Sequence, residues 1–183
     1  IKYTTLALIT SVFMLSSCEK LKNLASVNLN LSNTNGEFSI PIISTSGSID
    51  ITTENIYMNI DSMIQAEDAA VHAKHIKEVR ITGCRLELID GDRDNNFSAI
   101  QSCKMELASN ASPDFITIAE IQDNPDVEKY NLELPISNPD LELKKYFTSS
   151  NQFSYKVHAT TRKPTTKPLN GKIVVSYKIK AGL

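Results

Sequence analysis

Hydrophobic and polar residues alternate along most of this chain with a period of two, the pattern of strands with one face on a core and one in water. Val27, Leu29 and Leu31 alternate with Asn28, Asn30 and Ser32. Asn33-Thr34-Asn35-Gly36 then reads as a turn, and Phe38, Ile40 and Ile42 form a second alternating set. After Ser46-Gly47-Ser48, residues 49–58 read as a third strand. Residues 79–89 and 97–107 read as strands flanking the turn cluster 90–96, and 115–121 and 128–136 read as two more. The clearest pair comes last: Phe153, Tyr155, Val157 and Ala159, then Ile173, Val175, Tyr177 and Ile179.

One segment departs from this period. Met63, Ile64 and Val71 recur at helical spacing among Ala66, Ala69, Ala70 and Ala73, and Asn59 or Asp61 is placed to cap a helix. The pattern predicts one helix over 60–74, and Asn138-Pro139 predicts a short helical turn after it. Roughly eight to ten short strands without a βαβ rhythm predict an all-β fold. The expected architecture is an antiparallel β-sandwich, immunoglobulin-like in outline, spanning 26–183, with the helix at an end or edge. No repeat recurs at a fixed period.

The N-terminus has a different character. After Lys2, residues 4–17 carry no charge. That run is shorter than the ~20 apolar residues a membrane-spanning helix needs, but it has the length of a signal-peptide apolar region. Leu15-Ser16-Ser17-Cys18 follows, then Glu19-Lys20. An aliphatic residue, two small residues and a cysteine in this order resemble the lipobox of bacterial lipoproteins. The resemblance implies a signal peptide over 1–17, cleavage before Cys18, lipid on the Cys18 thiol and a short tether over 18–25. It further implies a location in the cell envelope, most simply the outer membrane facing the periplasm or the surface, with the membrane itself as a partner. Each buried methylene contributes about 0.8 kcal/mol, so several acyl chains would hold the protein firmly. The bland alternative is a buried N-terminal element with an incidental cysteine.

Composition narrows the classes. The 183 residues are 41% hydrophobic and 22% charged, an ordinary globular composition, and there is no Trp, so the core rests on Ile, Leu, Val, Phe and Tyr. A net charge of −2 gives no reason to expect nucleic acid as a partner. The charge is unevenly placed. Residues 151–183 hold seven basic residues and no acidic ones, whereas 86–142 hold thirteen acidic and three basic. Lys156, Arg162, Lys163, Lys167, Lys172, Lys178 and Lys180 therefore suggest a basic face on a terminal hairpin, suited to anionic headgroups, an acidic glycan or an acidic protein. The same lysines also suit a solvated sheet edge guarded against aggregation.

Cys84 and Cys103 remain beside Cys18. A hairpin centred between Arg93 and Asp94 would put them opposite each other, within disulfide reach. Two reduced core thiols are the alternative. Asp90, Asp92, Asp94 and Asn96 alternate in the turn, as oxygen ligands do at the start of a calcium loop, but Asn95 stands where the turn glycine belongs and Gln101 where the bidentate glutamate belongs. A polar turn explains them equally. Asp68, His72 and His75 could open a metal site, but His158 is not placed to complete it, and a solvated helix face serves as well. The chain lacks a G-x-S-x-G elbow, an H-E-x-x-H pair, a Walker loop and a G-x-G-x-x-G turn. The sequence thus points to a non-enzymatic envelope lipoprotein that binds a protein or glycan. A calcium- or carbohydrate-binding module for nutrient capture is the alternative, and a small envelope hydrolase a third reading.

Overall fold

A computed structural model describes residues 26–53 and 56–182; the expected signal peptide, Cys18 and the tether lie outside them. In chain order the elements are β1 (Ser26–Ile40), β2 (Gly47–Thr52), β3 (Ile56–Tyr57), α1 (Ile60–Glu67), β4 (Ile76–Leu88), β5 (Ile100–Ser109), β6 (Ser112–Ile121), β7 (Asn131–Glu133), α2 (Lys144–Phe147), β8 (Gln152–Thr161) and β9 (Leu169–Gly182). One sheet has the order β1-β9-β4-β7. The other has the order β2-β8-β5-β6, with the two-residue β3 also on β8. All pairings are antiparallel.

With β3 set aside, the eight remaining strands run 1-8-3-6 in one sheet and 2-7-4-5 in the other. This is a jelly roll, an eight-stranded double-sheet sandwich of two Greek keys, and it corrects the immunoglobulin-like expectation. In an immunoglobulin sandwich several successive strands pair within one sheet. Here the chain changes sheet between β1 and β2, between β4 and β5, and between β8 and β9. Among the described residues only β5 and β6 form a tight hairpin, closing at Ser109 and Ser112. Alternation reveals which side chains face inward but not which strand lies alongside, so both predicted hairpins, 76–107 and 151–183, are replaced by crossings between sheets.

Inward residues of the two sheets meet in one core. The Tyr155 hydroxyl on β8 lies 2.7 Å from that of Tyr177 on β9, joining the layers at the centre. Phe147 of α2 packs on both Phe153 and Tyr177, at ring distances of 5.1 and 4.9 Å. In β4 a bulge between Ile81 and Gly83 shifts the inward phase from Val79 and Ile81 to Cys84 and Leu86, as an extra residue in one strand must.

The helix is shorter than its composition predicts. Asn59 accepts the Ser62 amide at 3.0 Å and caps the start of α1. The end comes at Asp68, whose backbone is extended and whose carboxylate takes the Ala70 amide at 3.0 Å. That local bond competes with another helical turn, so 73–75 form a separate 3₁₀ turn. Likewise Asn138 makes a tight turn with Leu141, and the helical residues come later, at Lys144–Phe147.

Candidate functional site

The turn 90–96, whose alternating oxygens suit either a calcium loop or a polar turn, is a closed clamp. Asp92 Oδ1 accepts the amides of Asp94 and Asn95 at 3.0 and 2.9 Å and the Asn95 side-chain amide at 2.8 Å. Its Oδ2 lies 2.8 Å from Lys167 Nζ. Asp90 receives the Asn170 side-chain amide at 2.9 Å. Asn96 caps Ser98 at 2.9 Å and donates to the carbonyls of Asp92 and Arg93. Buried Asn95 Oδ1 takes the Thr166 amide at 2.7 Å. These oxygens bind protein donors rather than a common centre, and among the described residues no three acidic, His or Cys side chains gather as a metal site.

The Lys167 ammonium, followed by the Asn95 side-chain amide, draws the Asp92 carboxyl down to about 2. An unfolded aspartate titrates near 3.9, so this clamp contributes stability in full above about pH 4 and loses it as the pH falls through about 2. Backbone NMR shifts of Asn95 and Lys167 should stay fixed from neutral pH to about 4 and move only below it. Movement centred at the unperturbed value would contradict the clamp, and Asp92→Asn should remove the transition.

The seven bases do not share a face. Lys156 lies on the β8 sheet, its Nζ 4.3 Å from the centre of the Phe115 ring. Lys172, Lys178 and Lys180 lie on β9 in the other sheet, where Lys172 is in register with Glu37 and Glu87, and Lys180 with Glu78. Arg162 reaches inward to the carbonyls of Asn124 and Ile100. Lys163 pairs with Asp126 at 2.8 Å, and Lys167 closes the Asp92 clamp. Acidic or backbone partners thus engage Arg162, Lys163 and Lys167, and the remaining lysines of 151–183 are divided between the two sheets.

His72 and His75 are similarly engaged. His72 Nδ1 lies 2.7 Å from Gln65 Nε2 and 3.4 Å from Asp61, His75 Nδ1 accepts the His72 amide at 3.3 Å, and Asp61 accepts the Ala73 amide at 2.7 Å. Asp68 serves the α1 terminus. Cys84 and Cys103 sit in opposite sheets, both buried and unbridged. The Cys84 thiol faces Met105 Sδ at 3.3 Å. Burial pushes the Cys103 thiol up to about 12 and the Cys84 thiol higher still. An open groove of about 500 Å³ lies where β3, α1 and α2 meet, edged by Tyr57, Asp61, Ser149 and Asn151.

Sheet edges set a further surface apart. β7 is three residues long. β6 contains Pro113, Asp114 and Glu120, and is covered where Ser137 bonds to Ile118 and Glu120 to Pro135. β2 is six residues long, with Asp50 held 2.6 Å from His158. Short length, charge, proline and cover are the usual protections of an edge. β1 differs: it ends its sheet, is fifteen residues long and has no charged residue before Glu37. Asn28, Asn30 and Ser32 are exposed on its outer face, and Leu29 and Leu31 are buried on its inner face. The sequence pattern marks these faces but gives no sign that β1 lies at the end of a sheet.

No protein-family model matches this chain, and no curated protein matches it. Among solved structures it is similar to a VP2 subviral particle of infectious bursal disease virus, at 10% identity over 85% of this chain and 32% of that one, with a TM-score of 0.37. It is also similar to Triatoma virus, at 10% identity over 85% of this chain and 66% of that one, TM-score 0.35, and to Cocksfoot mottle virus, at 10% over 86% and 84%, TM-score 0.30. The chain spans about a third of the length of the infectious bursal disease virus chains it matches.

The envelope reading finds no counterpart in these comparisons. Recognition as a lipoprotein, location in the cell envelope, partnership with a membrane through Cys18 and with an envelope protein or glycan, and the alternative of a calcium- or carbohydrate-capture module were the sequence expectations, whereas the solved structures named here are virus particles and bear on the fold alone. Among the described residues no helix is long and apolar enough to cross a membrane.

Proposed function

We propose that this chain is a non-enzymatic structural module, a jelly-roll domain that works by associating with further copies of itself. One observation carries the reading: among the described residues, β1 is a long sheet edge, uncharged before Glu37, that pairs on one side alone, whereas the other edges are short, charged or covered. An open row of backbone donors and acceptors is a template for another strand. The chemistry elsewhere supports a structural role. Both described thiols are buried and held protonated, which deprives them of the thiolate that nucleophilic chemistry requires. The aspartate turn, the His72–Asp61 clasp and the Arg162 contacts all bind the fold to itself.

A seven-residue edge buries less than the ~1,600 Å² of a standard stable interface, so the association is weak and concentration-dependent. Sedimentation equilibrium of the full chain from about 1 μM to about 1 mM covers binding free energies of about −8 to −4 kcal/mol. The expected result is an apparent mass that rises from one chain to at least two across this range. A single-chain mass throughout would reject the proposal.

A further inference from the structure

We infer that two copies of this chain pair through β1, antiparallel, about a twofold axis at Leu29. The inference rests on the self-associating role proposed above and names its surface and register.

A twofold axis perpendicular to a sheet keeps outward side chains outward, so the axis must pass at a residue position, where each residue meets one an even number of places away. Along 27–31 the sequence is Val-Asn-Leu-Asn-Leu. Centred on Leu29 it is nearly a palindrome. Val27 would meet the second copy's Leu31, Asn28 its Asn30, and Leu29 its own counterpart. Carboxamides oppose carboxamides outside, while aliphatic residues oppose aliphatic residues inside. Carboxamides are both donors and acceptors, so like can bond like.

The fold places this stretch suitably. The register of β1 against β9 is unbroken from Ser26 to Asn33, and shifts only between Asn33 and Gly36. Leu29 thus lies within a regular run that continues on both sides of it and ends before the bulge. Among the described residues β1 pairs with β9 alone. Charge also permits the pairing. Lys178 and Lys180 on β9 are in register with Asn30 and Asn28, and with strands about 4.8 Å apart the lysines of the two copies stand about 14 Å apart. That exceeds the ~8 Å screening length at physiological salt. Moreover, Lys180 is in register with Glu78 on its far side.

Cysteine cross-linking tests the register. In a Cys18→Ser background, Asn28→Cys and Asn30→Cys are made on differently tagged chains; both positions are exposed, and Cys84 and Cys103 are buried. Opposed residues lie about 4.5–5.5 Å apart and same-residue pairs about 7–8 Å, so only the mixture has good disulfide geometry. Under mild oxidation, the mixture should give the mixed dimer several-fold faster than either variant alone gives its own. No excess of mixed dimer, with the parent still sedimenting as more than one chain, would overturn the β1 pairing and leave self-association standing. No cross-link together with a single-chain mass would overturn both.

Discussion

Gly171→Ala is expected to lower the stability of the domain by about 3 kcal/mol or more, at or beyond the upper end of ordinary overpacking. Gly171 sits on β9 between Phe38 of β1 and Leu88 of β4. A Cβ there would stand 2.3 Å from the Glu87 carbonyl oxygen and 2.5 Å from Phe38 Cζ. A side chain can swing aside, but the Glu87 carbonyl belongs to the paired strand β4 and can move only with its ladder. Relief would therefore part β4 from β9 at the centre of the sheet. Gly47→Ala is the control, because nothing lies within 4 Å of the added carbon; it should stay within about 0.5 kcal/mol. Urea unfolding of both variants reads the difference, and equal midpoints would contradict the packing described for β9.

Asn124→Ala is expected to cost about 3 kcal/mol, from three side-chain hydrogen bonds lost at a fully buried position, two of them to the carbonyls of Phe97 and Ile100. Asn124 is fully buried. Its Nδ2 donates to the carbonyls of Phe97 and Ile100, both at 2.8 Å, its Oδ1 accepts from Lys129 Nζ at 3.0 Å, and its own amide donates to the Gln101 carbonyl at 2.8 Å. One side chain thereby fastens the loop after β6 to the start of β5. At about 2–4 °C per kcal/mol for a domain of this size, thermal unfolding should fall by roughly 6–12 °C. Asn124→Asp should be no milder, since a carboxylate offers acceptors to two carbonyls. A shift under about 2 °C in either variant would show that the loop is held by other means.

The faces of the strands were legible in the sequence; their neighbours were not. The alternation of Phe153, Tyr155 and Val157, and of Ile173, Val175 and Tyr177, marks inward residues correctly because burial acts on each strand separately. Which strands adjoin depends on crossings between sheets, and these leave no local pattern. For this reason the aspartate-rich turn 90–96 resembles a hairpin connection yet carries the chain from one sheet to the other. The same limit governed the sites. Lys172 and Lys156 look like members of one basic surface until β8 and β9 are assigned to different sheets. The predicted opposition of Cys84 and Cys103 failed because β4 pairs with β9 and β7, and β5 with β8 and β6. Asn124 precedes Pro125 and reads as an ordinary loop residue; only its three-dimensional surroundings reveal its role. The uncharged, near-palindromic run at 27–31 was visible as letters, but its meaning depends on β1 ending the sheet.

If β1 is an assembly edge, sedimentation equilibrium must separate the parent chain from Asn28→Lys/Asn30→Lys. Both substitutions lie on the exposed face of β1, outside the core, and would bring four lysines together across the paired edge, where like charges directly opposed are destabilising. The parent should gain mass with concentration while the lysine variant keeps the mass of a single chain at the same concentrations. Equal mass gain in both would contradict assembly through β1.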